Sequence, residues 1–517
     1  MYKSFFTVIL FFLFFSVSAQ HTNILISNKF APEEPSIMIN PKNTKLMVAA
    51  ANIDQYYYSS DAGLTWNQGK ITSTYGVWGD PCIIVDTTGA FYFLHLSNPS
   101  NGNWIDRIVC QKSLNNGQSW DNGSFTYVNG TKAQDKDWAV VDPKTNIIYC
   151  TWTQFDNYGS ASPADSSIIL FSRSKDGGHT WSTVKRLNKI AGNCMDSDST
   201  VEGAVPTVGP NGEVYVSWAG PLGLLFDRSL DSGNTWLNDE IKVADIPGGW
   251  DYAVPGINRC NGLPITDCDR SNGLYRGNIY INWSDQRNGK TDTDIWFSKS
   301  TDDGNTWCTA KRVNDDPAGS HQFFTWMNVD QVTGYIWFVF YDRRNYTDNK
   351  TDVYMAVSKD GGDSFKNFKV SDSYFIPDSA EFFGDYTNVF AYNNVVRPIW
   401  GRLDGSSLSV YTAIIDTTFG VNDYNEVEGL FLEQNAPNPF IENTFIAFKL
   451  HHTCNVSLRV FDIFGKEMTT IINNEKLPAG RYTRQFDAAQ YNLRQGVYYF
   501  SLVSDEKVIT KKMLLLK

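Results

Sequence analysis

One eight-residue pattern, Ser-x-Asp-x-Gly-x-Thr-Trp, constrains this chain more than any other feature, because it returns six times. Clear copies are Ser59–Trp66, Ser174–Trp181, Ser229–Trp236 and Ser300–Trp307. Ser113–Trp120 carries Asn115 in place of the Asp, and Ser358–Phe365 ends in Phe365. Each copy follows a short apolar run, such as Ile168–Phe171 or Val353–Ala356. That order predicts a strand running into a tight turn. The Asp carboxylate can accept backbone N–H bonds, the Gly can take a positive φ, and the Ser and Thr hydroxyls can close the ends. The aromatic opens the next strand and can pack inward. The pattern is a hairpin staple, and nothing in it is placed to act on a substrate.

The six copies resemble the Asp-box, or BNR repeat, of the sialidase-like β-propellers. Their first serines lie 54 to 71 residues apart, a repeat length that fits strand-rich propeller blades. First strands are expected to begin near Pro35, Pro81, Trp138, Ala204, Leu263, Phe324 and Tyr386, which makes seven starts against six boxes. The last set, ending at Leu408–Ile415, has no box and no fourth strand of its own. Asn23–Ser27 reads as an outer strand and can complete that set, which closes the ring without an unpaired edge. The expected fold is all-β: a seven-bladed Asp-box β-propeller over residues 20–416, followed by a small Ig-like β-sandwich. Six blades, the number usual in sialidases, is the alternative.

The two ends read differently. Residues 1–19 have the form of an export leader, with Lys3, the apolar run Phe5–Phe15 and small residues before Gln20. No later run reaches spanning length. The net charge of −12 argues against nucleic-acid or anionic-membrane partners. Export permits disulfides, and Cys260 with Cys268, which flank a turn-rich loop, are the expected pair. Cys82 and Cys150, inside apolar strands, are expected to be buried thiols. Residues 417–430 read as a linker. Residues 431–517 carry Asn435-Ala436-Pro437-Asn438-Pro439-Phe440, then Phe461–Gly465, Gly496–Tyr499 and a tail with Lys511, Lys512 and Lys517. They resemble the type A sorting domain of the type IX secretion system. That resemblance implies secretion or display on the outer surface of a Gram-negative, Bacteroidetes-type cell, with the secretion machinery as a partner.

In a propeller the boxes crowd one face, and first-strand starts share the other face with second-strand ends, because neighbouring strands are antiparallel. That second face collects Glu34, Asp80, Asp137, Glu202 and Asp385 from first-strand starts. From second-strand ends it collects Asp285 with Arg287, and Asp342 with Arg344. Converging carboxylates raise each other's pKa or recruit cations, and arginines can hold an anion by paired hydrogen bonds. The same residues can equally serve as salt bridges repeated because the blades are repeated. The sialidase resemblance implies roles for them. Tyr386 would be the nucleophile, with Glu202 taking its proton and Asp385 able to replace Glu202. Asp80 would be the acid, and Arg287 and Arg344 would hold the substrate anion, beside Asp285 and Asp342. The family's first arginine has no counterpart: Phe30-Ala31-Pro32-Glu33-Glu34-Pro35 stands in its place. Two functions follow, a glycoside hydrolase acting on glycans in a sialidase-like manner, or a non-catalytic propeller that binds glycan or protein. Neither needs a cofactor or a catalytic metal; a structural Ca2+ is left open.

Overall fold

The computed structural model describes residues 21–415, and beyond them 426–427, 430–435, 437–450, 452–463, 465–491, 493–504 and 507–516. The expected leader and most of the expected linker lie outside the described residues. The chain divides into two compact units that meet in sequence at Ile415 and Asp416.

The first unit contains seven four-stranded antiparallel sheets. The third shows the plan: Ala133–Val141, Ile148–Phe155, Ser167–Ser174 and Lys185–Arg186, paired in that order. The second strands carry the core. Phe91–Leu96, Ile148–Phe155 and Val214–Gly220 are buried along their whole length, since each sheet is packed on both faces. A further repeat sits there, with Tyr149, Tyr215 and Tyr280 each followed three residues later by Trp152, Trp218 and Trp283, all without exposed surface. Outer strands such as Asn67–Lys70 are polar and largely exposed.

The first strands, Ser36–Ile39, Gly79–Val85, Ala133–Val141, Glu202–Val208, Ile265–Cys268, Gln322–Val329 and Asn388–Tyr392, lie side by side in a closed ring. The last sheet is completed by Thr22–Ser27, antiparallel to Ser407–Ile414 with Thr22 opposite Ile414. This is the closure that the sequence led us to expect. All six boxes join third to fourth strands. In the third, the Ser174 hydroxyl donates to Asp176 Oδ1 at 2.8 Å and accepts the Gly178 N–H at 2.9 Å. Asp176 Oδ1 also accepts the Thr180 N–H at 2.9 Å, and Asp176 Oδ2 the Thr180 hydroxyl. The box glycine has two reasons to be glycine. Gly233 has φ +83°, and a Cβ there would stand 2.5 Å from the Phe171 ring of the preceding sheet.

The expected Cys260–Cys268 disulfide is absent; both are free thiols. Cys268 ends the strand Ile265–Cys268, whereas Cys260 lies in the loop before it, where its carbonyl accepts the Tyr252 N–H at 3.2 Å. Cys268 packs instead with Ile279 and Ile281. Cys82 and Cys150 are buried thiols.

The second unit has two four-stranded sheets. One contains Asn443–Leu450 and Gly480–Asp487, the other Cys454–Phe461 and Gly496–Ser504. Both sheets contribute to one core, with Ile446 and Phe448 from the first and Leu458 and Phe500 from the second.

Candidate functional site

The start of the first strand is where the ring departs from regular geometry. Backbone φ is positive at Glu34 (48°), Asp80 (50°), Lys136 (51°) and Phe324 (49°), and at the corresponding Gly203 and Gly384. The pairing register slips at the same place in four sheets, between Gly79 and Cys82, Asp135 and Trp138, Glu202 and Val205, and Phe323 and Trp326. A bulge adds a residue and re-aims the side chains beside it. Repeated around the ring, it gathers polar groups at one mouth of the channel.

Asp385 is the hub. It is 3% exposed, and its carboxylate holds Lys136 Nζ at 2.8 Å and Arg259 through Nε at 3.0 Å and Nη2. Arg259 also donates to Asp196 Oδ2 at 2.9 Å, and Asp196 accepts the Tyr158 hydroxyl at 2.6 Å. Glu34 accepts the Asp385 N–H at 3.0 Å and the Asn52 amide, and stands 3.7 Å from Lys136. Asn52 in turn accepts the Asp80 N–H at 2.8 Å. The carboxyl groups of Glu33, Glu34, Asp80, Asp135, Asp137, Asp196, Glu202 and Asp385 thus face two cations, and both cations are bound to Asp385.

That imbalance splits the carboxyl groups into two kinds. Burial opposes ionisation of Asp385, but Lys136 and Arg259 outweigh it and hold the group far below the usual carboxylate range. Burial and the Asp80 charge push Asp135 up to about 8, and burial and Asp385 push Glu33 up to about 8. Asp137 is driven well up by burial and Asp80, and Glu202 by burial and Asp196. Both oxygens of Asp137, Oε2 of Glu202 and Oε2 of Glu33 have no hydrogen-bond partner among the described residues.

Aromatic rings frame the cluster. Trp138, Trp326 and Tyr386 come from the third, sixth and seventh sheets and meet across the channel, with centroids 4.3 Å apart for the tryptophans and 5.9 and 6.0 Å from each to Tyr386. Above them is a cavity of about 50 Å³ whose lining includes Asp137, Asp385 and Tyr386. Trp104 packs edge-on against Trp78 and Tyr158, and Trp78 and Trp104 remain 40% and 42% exposed.

Of the residues singled out in the sequence, Glu34, Asp80, Asp137, Glu202, Asp385 and Tyr386 belong to this mouth. The Tyr386 hydroxyl is buried without a partner among the described residues. Burial and then Asp80, Glu34 and Asp137 push its pKa well up. Lys136 stands 5.0 Å from its ring centre. Arg287 and Arg344 are engaged elsewhere. Arg287 holds Asp285 through Nε at 2.9 Å and lies 4.2 Å over Trp296. Arg344 holds Asp342 at 2.8 Å and lies 4.4 Å over Tyr354. Asp342 is raised to about 6, by burial that Arg344 only partly offsets. No contact joins either arginine to the Asp385 cluster among the described residues. Lys136, Arg259, Asp135 and Asp196 were not found from the sequence. Asp135-Lys136-Asp137 is a visible charged run, whereas Arg259 sits in a long loop with no local signal. Among the described residues no group of three or more His, Cys, Asp or Glu is arranged to hold a metal ion.

Residues 436–516 match the family model of the secretion system C-terminal sorting domain. The tail is a sorting domain. It assigns the chain to the type IX route of secreted and cell-surface proteins of Bacteroidetes. No helix among the described residues is long and apolar enough to cross a membrane. No curated protein matches the chain in sequence. Among solved structures, the chain is similar to the Hadza microbial sialidase Hz136, at 13% identity over 71% of this chain and 73% of that one, with a TM-score of 0.40. It is also similar to the Penicillium chrysogenum alpha-L-arabinanase complexed with arabinobiose (14%, 76% and 97%, 0.39). A third is the Trypanosoma rangeli sialidase in complex with sialic acid (10%, 86% and 84%, 0.39).

Proposed function

We propose that this exported propeller acts on glycans at the mouth opposite the Asp-boxes, and that it cleaves glycosidic bonds with carboxyl groups. One observation supports the reading above the others: a single cluster holds Asp385 ionised while Asp135 is raised to about 8. Glycoside hydrolysis asks for that division, a carboxyl that is still protonated near neutral pH to protonate the leaving oxygen, and negative charge facing an oxocarbenium-like transition state. Asp135 is half-buried and therefore reachable, so it is the proton donor in this reading. Asp385, fixed by Lys136 and Arg259, supplies the negative charge, and the exposed faces of Trp78 and Trp104 offer apolar platforms for sugar rings.

The tyrosine route remains a distinct version of the same activity. There Asp80, Glu34 or Asp137, the carboxyl groups that act most on the Tyr386 phenol, would take its proton in place of Glu202. The same charges hold that proton on the phenol, which is why the carboxyl route is preferred. Lys136 and Arg259, the two cations of the cluster, are both spent on Asp385, which favours neutral or amino sugars over sialic acid. The narrowness of the 50 Å³ cavity favours the second reading, a propeller that binds glycan or protein without turnover.

Release of aglycone from a panel of aryl glycosides separates these readings. The carboxyl route predicts turnover of a neutral or amino-sugar glycoside, lost in Asp135→Asn and largely kept in Tyr386→Phe. Turnover of the sialoside, abolished by Tyr386→Phe, would establish the tyrosine route instead. Binding of glycan without release would leave the binding module.

A further inference from the structure

Of the sixteen tryptophans of the chain, Trp78 and Trp104 alone are exposed, and they touch each other. Trp78 precedes the strand Gly79–Val85 and donates its N–H to Leu96 O at 2.9 Å. Trp104 is carried by the loop between Phe91–Leu96 and Ile108–Ser113. Ile105 beside it is wholly buried, donates its N–H to Ser97 O at 3.0 Å and accepts the Gln134 N–H at 2.6 Å. The backbones are pinned while the rings face water. Rigid aromatic faces left open in this way are what a ligand covers with least loss of freedom.

Tyr158 continues the row. Its ring lies 5.5 Å from Trp104, as Trp104 lies 6.1 Å from Trp78. The Tyr158 hydroxyl donates to Asp196, which Arg259 ties to Asp385, so the row leads into the carboxyl cluster. The cations on the neighbouring segments are already matched, Arg107 by Asp106 at 2.7 Å, Lys132 by Asp156 at 2.6 Å and Arg259 by Asp196 at 2.9 Å. Aromatic faces beside matched charges suit an uncharged ligand with apolar faces of its own, and a pyranose ring whose hydroxyls are equatorial is one. The ring planes set the shape of the chain. They turn by 86° from Trp78 to Trp104 and by 82° from Trp104 to Tyr158. A flat cello-oligosaccharide keeps its sugar rings near one plane and can stack on only one of these faces. A malto-oligosaccharide turns from ring to ring and can lie against successive faces.

We propose that Trp78, Trp104 and Tyr158 form an extended subsite for a neutral oligosaccharide of the turning, malto-type shape. This rests on the reading of the mouth as a glycan site and names the class of glycan. One end of the chain enters the carboxyl cluster, and the units that follow lie along the row.

The probes are maltose, maltohexaose and cellohexaose, titrated calorimetrically into the full exported chain. Saturable binding of maltohexaose is expected, tighter than that of maltose or cellohexaose. Trp104→Ala should weaken maltohexaose about tenfold and erase its advantage over maltose, whereas Trp104→Phe, which keeps a flat face, should retain most of it. Urea unfolding shows whether Trp104→Ala is folded; if it is not, Trp78→Ala makes the same test from the other ring. Absence of saturable maltohexaose binding, or equal binding by a folded alanine variant, would overturn the subsite. Cellohexaose binding as tightly as maltohexaose would overturn the turning shape. Failure of the catalytic reading looks different: maltohexaose binding that depends on Trp104, with no release from any aryl glycoside, leaves the subsite standing.

Discussion

The two faces of the ring use carboxylates in opposite ways. On the box face each motif carboxylate is saturated by its own turn. Asp231 is held at about 2 by the Thr235 N–H and by Ser229 and Thr235, and Asp176 reaches about 2 because Thr180 and Ser174 outweigh a little burial. On the other face Asp135, Asp137, Glu202 and Glu33 are pushed up by burial and by one another, and several of their oxygens lack partners. Repetition therefore does not by itself mark either structure or function. A carboxylate whose hydrogen bonds are all met locally belongs to the turn, and one left unmet in a cleft is available for chemistry.

Each variant below breaks or sharpens that contrast. The largest effect is expected at the hub. Asp385→Ala leaves Lys136 and Arg259 without their shared partner and should lower stability by about 3 kcal/mol, at the low end for a broken buried pair because Arg259 is 40% exposed. Urea unfolding reads it. Asp176→Ala removes the acceptor of the third box and should lose about 1–2 kcal/mol with no change at the mouth. The pH dependences should have opposite signs. Asp135 and Glu33 have folded-state pKa values raised to about 8, so their contribution is complete below their unfolded values near 4 and fades as pH rises through about 8. Asp176 is lowered to about 2, so its contribution is present above about 4 and lost as pH falls toward 2. Thermal midpoints across pH should show Asp135→Asn flattening only the fall between about pH 4 and 8 and Asp176→Asn only the acid limb below about 4. The smallest effect is expected at the degenerate box. Asn115 already accepts the Ser119 N–H at 3.0 Å and donates to the Ser119 hydroxyl at 2.8 Å, so Asn115→Asp should stay within about 0.5 kcal/mol.

The box face was legible from sequence because its chemistry is local. Ser174, Asp176, Gly178 and Thr180 lie within one turn, and a pattern of that length survives repetition. The closing strand Thr22–Ser27 was legible too, because a set lacking its fourth strand needs one. The mouth was legible only in part. Asp80, Glu202 and Asp385 stand at countable positions, but their partners come from loops whose reach the sequence does not encode. Arg259 and Asp385 are 126 residues apart. Arg287 and Arg344 drew attention by sitting at the right strand ends, yet the Asp two residues before each provides a closer partner than any substrate could. The Tyr149–Trp152 repeat of the second strands carries no signal of its own, because an aromatic in an apolar strand looks like any other core residue.

The central claim is that the carboxyl cluster opposite the boxes does chemistry and the box carboxylates do not. Initial rates of the full exported chain on the aryl glycoside panel, beside Asp135→Asn and Asp176→Asn, test it most directly. The account predicts release from a neutral or amino-sugar glycoside, a fall of about a hundredfold or more in kcat for Asp135→Asn with KM little changed, and wild-type rates for Asp176→Asn. Equal rates for Asp135→Asn and the wild type, an equal fall in Asp176→Asn, or no release from any glycoside would contradict it.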